Sequence, residues 1–196
     1  MLIGIAGKTG SGKSFIASLL EKKGWKQLDL DIVAHKVLDA EARAIERKLG
    51  PGLLDNKGKI DRKILGSKVF SNPEALKILE EITYPGIEKE TRKWIDSLNG
   101  ENAVIHAVNL HKTSLADDCD IILWVTSPWY IRRRRVLKRD KRSWNDIKGR
   151  FRSQKSLNPK LFSDKAEIYT VRNRGNLKRL EYRLNRILSR LEGGRD

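Results

Sequence analysis

Eight residues near the amino terminus, Gly7-Lys8-Thr9-Gly10-Ser11-Gly12-Lys13-Ser14, constrain this chain more than any other feature. They satisfy G-x-x-x-x-G-K-[ST] and follow a short apolar run, Leu2 to Ala6. After them come Phe15, Ile16, Leu19 and Leu20 at helical spacing, closed by Gly24. Strand, glycine loop and helix in that order make a phosphate-binding loop. Glycines let the backbone turn tightly, so that the N–H groups of Gly7 to Gly12 face phosphate oxygens, and the helix presents the positive end of its dipole. Lys13 is placed to bridge the β- and γ-phosphates, and the Ser14 hydroxyl to ligate a metal ion, so the loop predicts ATP with Mg²⁺. A glycine turn that merely precedes a helix is the competing reading, and the correct strand and helix context disfavours it.

The rest of the chain alternates strand and helix signals. Trp25 to Asp29 reads as a second strand, Ile32 to Leu38 as a short helix, Ala103 to Val108 and Ile121 to Thr126 as buried parallel strands. Tyr130 to Arg139 reads as a helix, 140–163 as a basic mobile segment, Ile168 to Val171 as a last strand and Leu177 to Leu191 as a closing helix. Residues 41–98 hold charged, periodic stretches broken by Pro51, Gly52, Pro73 and Pro85, which predicts a helical insertion. The expectation is a single α/β domain over 1–196: a doubly wound parallel sheet with a helical insertion at about 41–98 and a lid at about 140–163. On such sheets ligands bind at the carboxyl ends of the strands.

Charge is placed unevenly. The 196 residues carry 41 Lys plus Arg against 25 Asp plus Glu, a net +16. Residues 1–126 hold 19 basic and 18 acidic residues, whereas 127–196 hold 22 and 7. The carboxyl-terminal third therefore meets whatever polyanion this protein meets, be it nucleic acid, an anionic surface or a phosphate-rich small substrate. No apolar run approaches the roughly 18 residues that span a bilayer, and the start lacks the basic region of a signal peptide, so the expected location is cytoplasmic, without membrane attachment. Cys119 is the only cysteine, which rules out an internal disulfide and suits a small buried hydrophobe. His35, His106 and His111 share no metal-ligand spacing.

The loop names a nucleotide without naming an acceptor, because one scaffold hosts many chemistries. Asp29 and Asp31 end the second strand signal in LDLDIVAH, so at least one carboxylate is expected to face the crevice. A carboxylate there accepts a hydroxyl proton or holds metal-bound water. The alternative for Asp31 is a helix cap ahead of Ile32. Asp31 is the stronger catalytic candidate of the two.

Over nearly its whole length the sequence resembles the dephospho-coenzyme A kinase family. The matching stretches are GKTGSGKS, LDLDIVAHKVL, GKIDRKILGSKVFSNPEALKILEEI, RRRRVLKRD, the R-x-x-x-Q of Arg150 and Gln154, and Asn173-x-Gly175. The resemblance implies transfer of the ATP γ-phosphate to the ribose 3′-hydroxyl of dephospho-coenzyme A, with a helical substrate region and a lid. It implies that Asp31 is the catalytic carboxylate and Arg139 the lid arginine. Three departures stand out: Tyr84-Pro85 in place of His-Pro, Val108-Asn109-Leu110 with Lys112 in place of Pro-Leu-Leu and an acidic residue, and Arg132 in place of glutamine. The first two fall where the acceptor site is expected. Another P-loop kinase of a nucleoside or small metabolite is the alternative they leave open, and a relative that binds nucleotide or nucleic acid without turnover is a third.

The remaining candidates are weaker. Arg139 and Arg150 suit a lid, because a guanidinium fork matches phosphate oxygens. Asn173 either meets the adenine edge or only forms a turn. Asp61-Arg62 reads as an acceptor contact or as a helix cap with a surface arginine. Trp94, Trp124, Trp129 and Trp144 are expected to pack core or lid, and no specific nucleic-acid partner is expected.

Overall fold

The computed structural model describes residues 1–70, 72–141 and 143–193. The chain divides into two compact units, one formed by 1–28 with 100–196, the other by 29–99.

The first unit is built on a five-stranded parallel sheet of order β2-β3-β1-β4-β5. Its strands are β1 (Leu2–Ala6), β2 (Lys26–Asp29), β3 (Ala103–His106), β4 (Ile121–Thr126) and β5 (Glu167–Arg172). β1 pairs in parallel with β3, Ile3 opposite Val104, and with β4, Ile3 opposite Ile121. All five residues of β1 and all four of β3 are buried, which is why these segments read as continuous apolar runs. Helix α1 (Lys13–Glu21) and the closing helix α8 (Leu177–Gly193) bring Ile16, Leu20, Leu180, Leu184 and Leu188 into one core with Ile3, Ile5, Leu123 and Val125. Each such side chain, once buried, contributes roughly 1.5–3 kcal/mol. Strand order reverses between β1 and β4, and the glycine loop leaves the carboxyl end of β1 there.

Two helices follow β4: α6 (Trp129–Asp140) and α7 (Trp144–Ser153). The stretch 140–163, expected as a basic mobile segment, thus contains a regular helix, followed by a 3₁₀ turn at Pro159–Phe162. Phe162 is fully buried against His111 and Trp124, and Ile147 of α7 is buried too. Apolar anchors inside a basic sequence order this segment.

The second unit is helical: α2 (Leu30–Ala40), α3 (Ala42–Leu49), α4 (Arg62–Phe70) and α5 (Pro73–Asp96). Ala42, Ile45, Leu49, Leu53, Leu65, Val69 and Ala75 form its core. Asn72 caps α5 by accepting from Glu74 N and Ala75 N, and Pro73 occupies the first turn, where its missing N–H costs nothing. Pro85 was expected to break the helix; instead α5 continues through it. Gly86 beside it lets α2 approach: a Cβ there would lie 2.8 Å from Val37 Cγ1. Asp61 accepts from Lys63 N and Ile64 N at 2.9 and 3.0 Å, a helix cap, while Arg62 pairs with Asp39 at 3.7 Å. Among the described residues no helix is long and apolar enough to cross a membrane.

Candidate active site

The glycine loop closes on itself and on the helix that follows. Ser11 N donates to Lys8 O at 3.0 Å, Ile16 N to Gly12 O at 3.1 Å, and Lys13 Nζ to Gly7 O at 3.0 Å. Helix α1 has no side-chain cap and no carboxylate in its first turn. An anion arriving at that terminus therefore meets the dipole without an internal competitor. Ser14, in the first turn, is exposed, and its hydroxyl bonds to none of the described residues, so it fits a metal-ligand role alongside a bound triphosphate.

Asn173, just past β5, is 4% exposed and anchors the loop from behind. Its Nδ2 donates to Ser11 O at 2.9 Å, and its Oδ1 accepts from Arg135 Nη2 at 3.0 Å and Gly175 N at 3.2 Å. The Gly175 bond is the turn that the sequence offered as one alternative, and the same amide, through Ser11 and Arg135, also positions the loop. Gly12 has φ 103°, and a Cβ there would collide with Asn173 Nδ2, so this glycine is required both for its backbone and for the close approach. Arg135 completes the support: its Nη1 donates to Gly10 O at 3.3 Å, Ser11 O at 3.2 Å and Ser127 Oγ at 3.4 Å. Burial, with Arg134 nearby, holds the Arg135 guanidinium below its ordinary pKa.

The tip of the loop is clasped by the two residues that follow α7. Thr9 N donates to Gln154 Oε1 at 2.7 Å, Gln154 Nε2 to Thr9 Oγ1 at 3.0 Å, and Lys8 Nζ to Lys155 O at 3.0 Å. Arg132 Nη1 donates to Thr9 O at 3.3 Å. Arg132 stood out in the sequence only as a departure from the family and Arg135 not at all, yet both touch the loop. A signal existed: Val136 is the buried residue of α6, and Arg132, Arg135 and Arg139 flank it at helical spacing.

Arg139 and Arg150 converge on Asp140. Arg139 Nε donates to Asp140 Oδ1 at 2.6 Å and Arg150 Nη1 to Oδ2 at 2.8 Å, joining the end of α6 to α7. The Arg139 hydrogen bond, together with the charges of both arginines, outweighs burial and lowers the Asp140 pKa. Among the described residues Arg139 makes no hydrogen bond to the glycine loop.

Asp29 and Asp31 begin the second unit. Asp29, not Asp31, is the N-cap of α2: its Oδ1 accepts from Asp31 N at 2.9 Å, so the helix starts at Leu30, two residues earlier than expected. This removes capping as the role of Asp31, whose exposed carboxylate accepts no hydrogen bond among the described residues. No cluster of three or more metal-ligating side chains occurs among the described residues. Cys119 is buried, donates to Leu115 O at 3.2 Å, and its pKa is pushed far up by burial and three neighbouring aspartates.

The sheet order, with a lysine-bearing glycine loop leaving β1, defines a P-loop kinase. The likeness extends to a shikimate kinase structure from Acinetobacter baumannii, with a TM-score of 0.56 at 16% identity over 96% of this chain and 93% of that one, which shows the shared fold. The family model for dephospho-CoA kinase matches residues 1–178, and the chain belongs to that family. It is 30% identical over 194 residues to a dephospho-CoA kinase of Thermus thermophilus, covering 99% of this chain and 93% of that one. With the Leptospira interrogans enzyme of the same name it shares 32% over 196 residues, 98% and 93% of the two chains. A crystal structure of a Thermus thermophilus protein superposes with a TM-score of 0.80 at 30% identity, over 97% of each chain. The Campylobacter jejuni dephospho-CoA kinase structure gives 0.69 at 25% identity, over 100% and 98%.

Proposed function

We propose a mechanism in which Asp31 accepts the proton of the acceptor hydroxyl and Arg139 offsets charge on the transferring phosphoryl group. The overall activity is that of the family: dephospho-CoA kinase, an ATP-dependent phosphotransferase acting in the final step of coenzyme A synthesis. The ribose 3′-oxygen forms a bond to the γ-phosphorus, the bond from that phosphorus to the β,γ-bridging oxygen breaks, ADP leaves, and the proton goes to a carboxylate. Asp31 suits this task because it is exposed, and the capping task that would have tied it down belongs to Asp29. Lys13 and the backbone from Gly7 to Ser14 hold the donor phosphates. The Ser14 hydroxyl would hold Mg²⁺, which would supply charge neutralisation to the triphosphate. Arg150 belongs to a lid at about 140–163 and Arg139 stands at its edge, at the end of α6; the acceptor is received by the helical stretch at about 41–98, and the two work as parts of one kinase domain. The protein works in the cytoplasm on these two small substrates, without a specific nucleic-acid partner.

The observation that carries this reading is the uncapped start of α1 behind a loop held by Asn173 and Arg135. A coupled ADP-release assay with ATP and Mg²⁺ tests it. Release should depend on dephospho-CoA and yield a product bearing a 3′-phosphate. Acceptor-independent release, or turnover of a different nucleoside in its place, would refute it.

A further inference from the structure

Beside the phosphate loop, α6 and α7 border a cavity of about 310 Å³. Its cationic lining comprises Lys8, Arg132, Lys148, Arg152 and Lys155, and among the described residues no carboxylate lines it. Trp129, Trp144 and Phe151 supply the aromatic part of the wall. Their rings meet edge to face, Trp129 to Trp144 at 5.8 Å and Trp144 to Phe151 at 5.2 Å. Arg133 lies over Trp144 at 5.0 Å and over Trp129 at 5.9 Å, and Arg132 over Phe151 at 5.1 Å. Trp129 nevertheless stays 53% exposed, leaving much of its indole uncovered.

A run of basic residues on a solvated face needs no partner, because water and salt screen it. This cavity differs in two respects. Lys8 and Arg132 are half-buried, and burial lowers both pKa values, that of Lys8 with help from Arg132, so the charges are poorly screened and repel. Secondly, aromatic faces stand among the cations. Scattered tryptophans were expected only to pack, yet Trp129 and Trp144, fifteen positions apart, converge with arginines on one wall. Cations ask for phosphate oxygens and an open indole asks for a planar ring.

We propose that this cavity binds the diphosphate of a base-bearing nucleotide, its phosphates against Lys148, Arg152 and Lys155 and its base on the indole of Trp129. The volume lies at the lower end for small-molecule sites, which suits one nucleotide. Two sources share this chemistry: dephospho-CoA itself, in which case the inference rests on the kinase reading above, or a second nucleotide bound apart from the phosphate loop.

The test uses Lys148→Gln/Arg152→Gln, Trp129→Ala and Trp129→Phe in the full chain, each first shown to melt like wild type. If the source is the acceptor, the double variant and Trp129→Ala raise the KM for dephospho-CoA about tenfold, as loss of charge-assisted contacts would. ATP KM stays the same, kcat changes less than threefold, and Trp129→Phe recovers most of the loss. For a second nucleotide, ADP and inorganic pyrophosphate quench tryptophan fluorescence saturably in Lys13→Ala protein. That quench disappears with Lys148→Gln/Arg152→Gln while the KM for dephospho-CoA is unmoved. Folded variants with neither effect overturn the proposal. Should wild type itself fail to turn over dephospho-CoA, the kinase reading fails, and titrating Lys13→Ala with dephospho-CoA, ADP and pyrophosphate still decides the cavity.

Discussion

Asn173 and Ser11, 162 positions apart, are joined by a buried hydrogen bond of 2.9 Å from the Asn173 amide to the Ser11 carbonyl oxygen. Arg135 touches both, donating to Asn173 Oδ1 and to Ser11 O. The loop that receives phosphates is thus shaped by residues from the ends of β4 and β5 as well as by its own glycines, because Ser127 and Asn173 lie just beyond those strands. A cradle pre-set in this way spends less binding free energy on ordering itself.

Asn173→Ala should therefore lower stability by about 1–3 kcal/mol, since Ser11 O and the Arg135 guanidinium lose a buried partner. It should also raise the KM for ATP several-fold with a smaller change in kcat. Denaturant unfolding alongside steady-state kinetics would show both. An unchanged ATP KM would mean the loop holds its shape without this amide.

Lys13→Ala removes the cation that bonds to Gly7 O and that the proposed mechanism assigns to the donor phosphates. ATP should raise the melting temperature of wild type, as any ligand that binds only the native state must, and Lys13→Ala should lose most of that rise. Equal shifts in the two proteins would locate the phosphates elsewhere.

In the helical unit, Gly86→Ala sets two effects against each other. Alanine improves helix propensity by about 1 kcal/mol, but the new Cβ would meet Val37 Cγ1 at 2.8 Å, and a stiff β-branched side chain yields poorly. Overpacking costs about 1–3 kcal/mol, so the variant should be destabilised by roughly 1 kcal/mol net. Adding Val37→Ala should turn the substitution favourable; a double-mutant cycle measures the coupling.

What was legible in the sequence was local. Leu2 to Ala6 is a strand over the same residues as read, since an apolar run ahead of a glycine loop needs no distant information. Asp29 was harder, because a capping carboxylate and a strand-end carboxylate look alike until the first helical turn is placed. Pro85 misled: a helix interior can absorb one lost backbone bond when packing of Ala75, Thr83, Ile87 and Thr91 holds the rest. Helix α7 was hidden by its own basic residues, although Trp144, Ile147 and Phe151 fall at i, i+3 and i+7. Arg135 is one of four consecutive arginines, and only contacts with Gly10, Ser11 and Asn173 distinguish it. Those partners are more than thirty positions away, beyond the reach of spacing arguments.

Asp140 gives a pH signature. Its pKa is depressed, first by the Arg139 hydrogen bond, so its contribution is present above the unfolded value of about 4 and is lost as pH falls through the lower folded value. Asp140→Asn should therefore be less stable than wild type at pH 6 to 8, with the gap shrinking below about pH 4. Melting curves across that range check it. A gap that stayed constant into strong acid would show that the tie between α6 and α7 does not depend on ionised Asp140.

In the proposed mechanism, Asp31 and Arg139 separate proton transfer from phosphoryl stabilisation. Asp31→Asn keeps the shape of the first turn of α2, whose cap is Asp29, but cannot take a proton. Turnover should fall about a hundredfold or more, in line with general-base contributions, while ATP affinity persists. Arg139 is held by Asp140 at 2.6 Å, so its use in catalysis requires that it exchange this carboxylate for phosphate oxygens. Arg139→Ala should lower kcat by on the order of 10³ or more and weaken ATP binding much less, because the interaction is made chiefly in the transition state. Lysine at 139 should recover part of that loss, keeping the charge without the fork. Single-turnover phosphorylation of dephospho-CoA, with ATP affinity measured separately, distinguishes the two roles. Near-normal rates in Asp31→Asn would transfer the base to another carboxylate, and a loss of ATP affinity as large as the loss of kcat in Arg139→Ala would reduce Arg139 to ground-state binding.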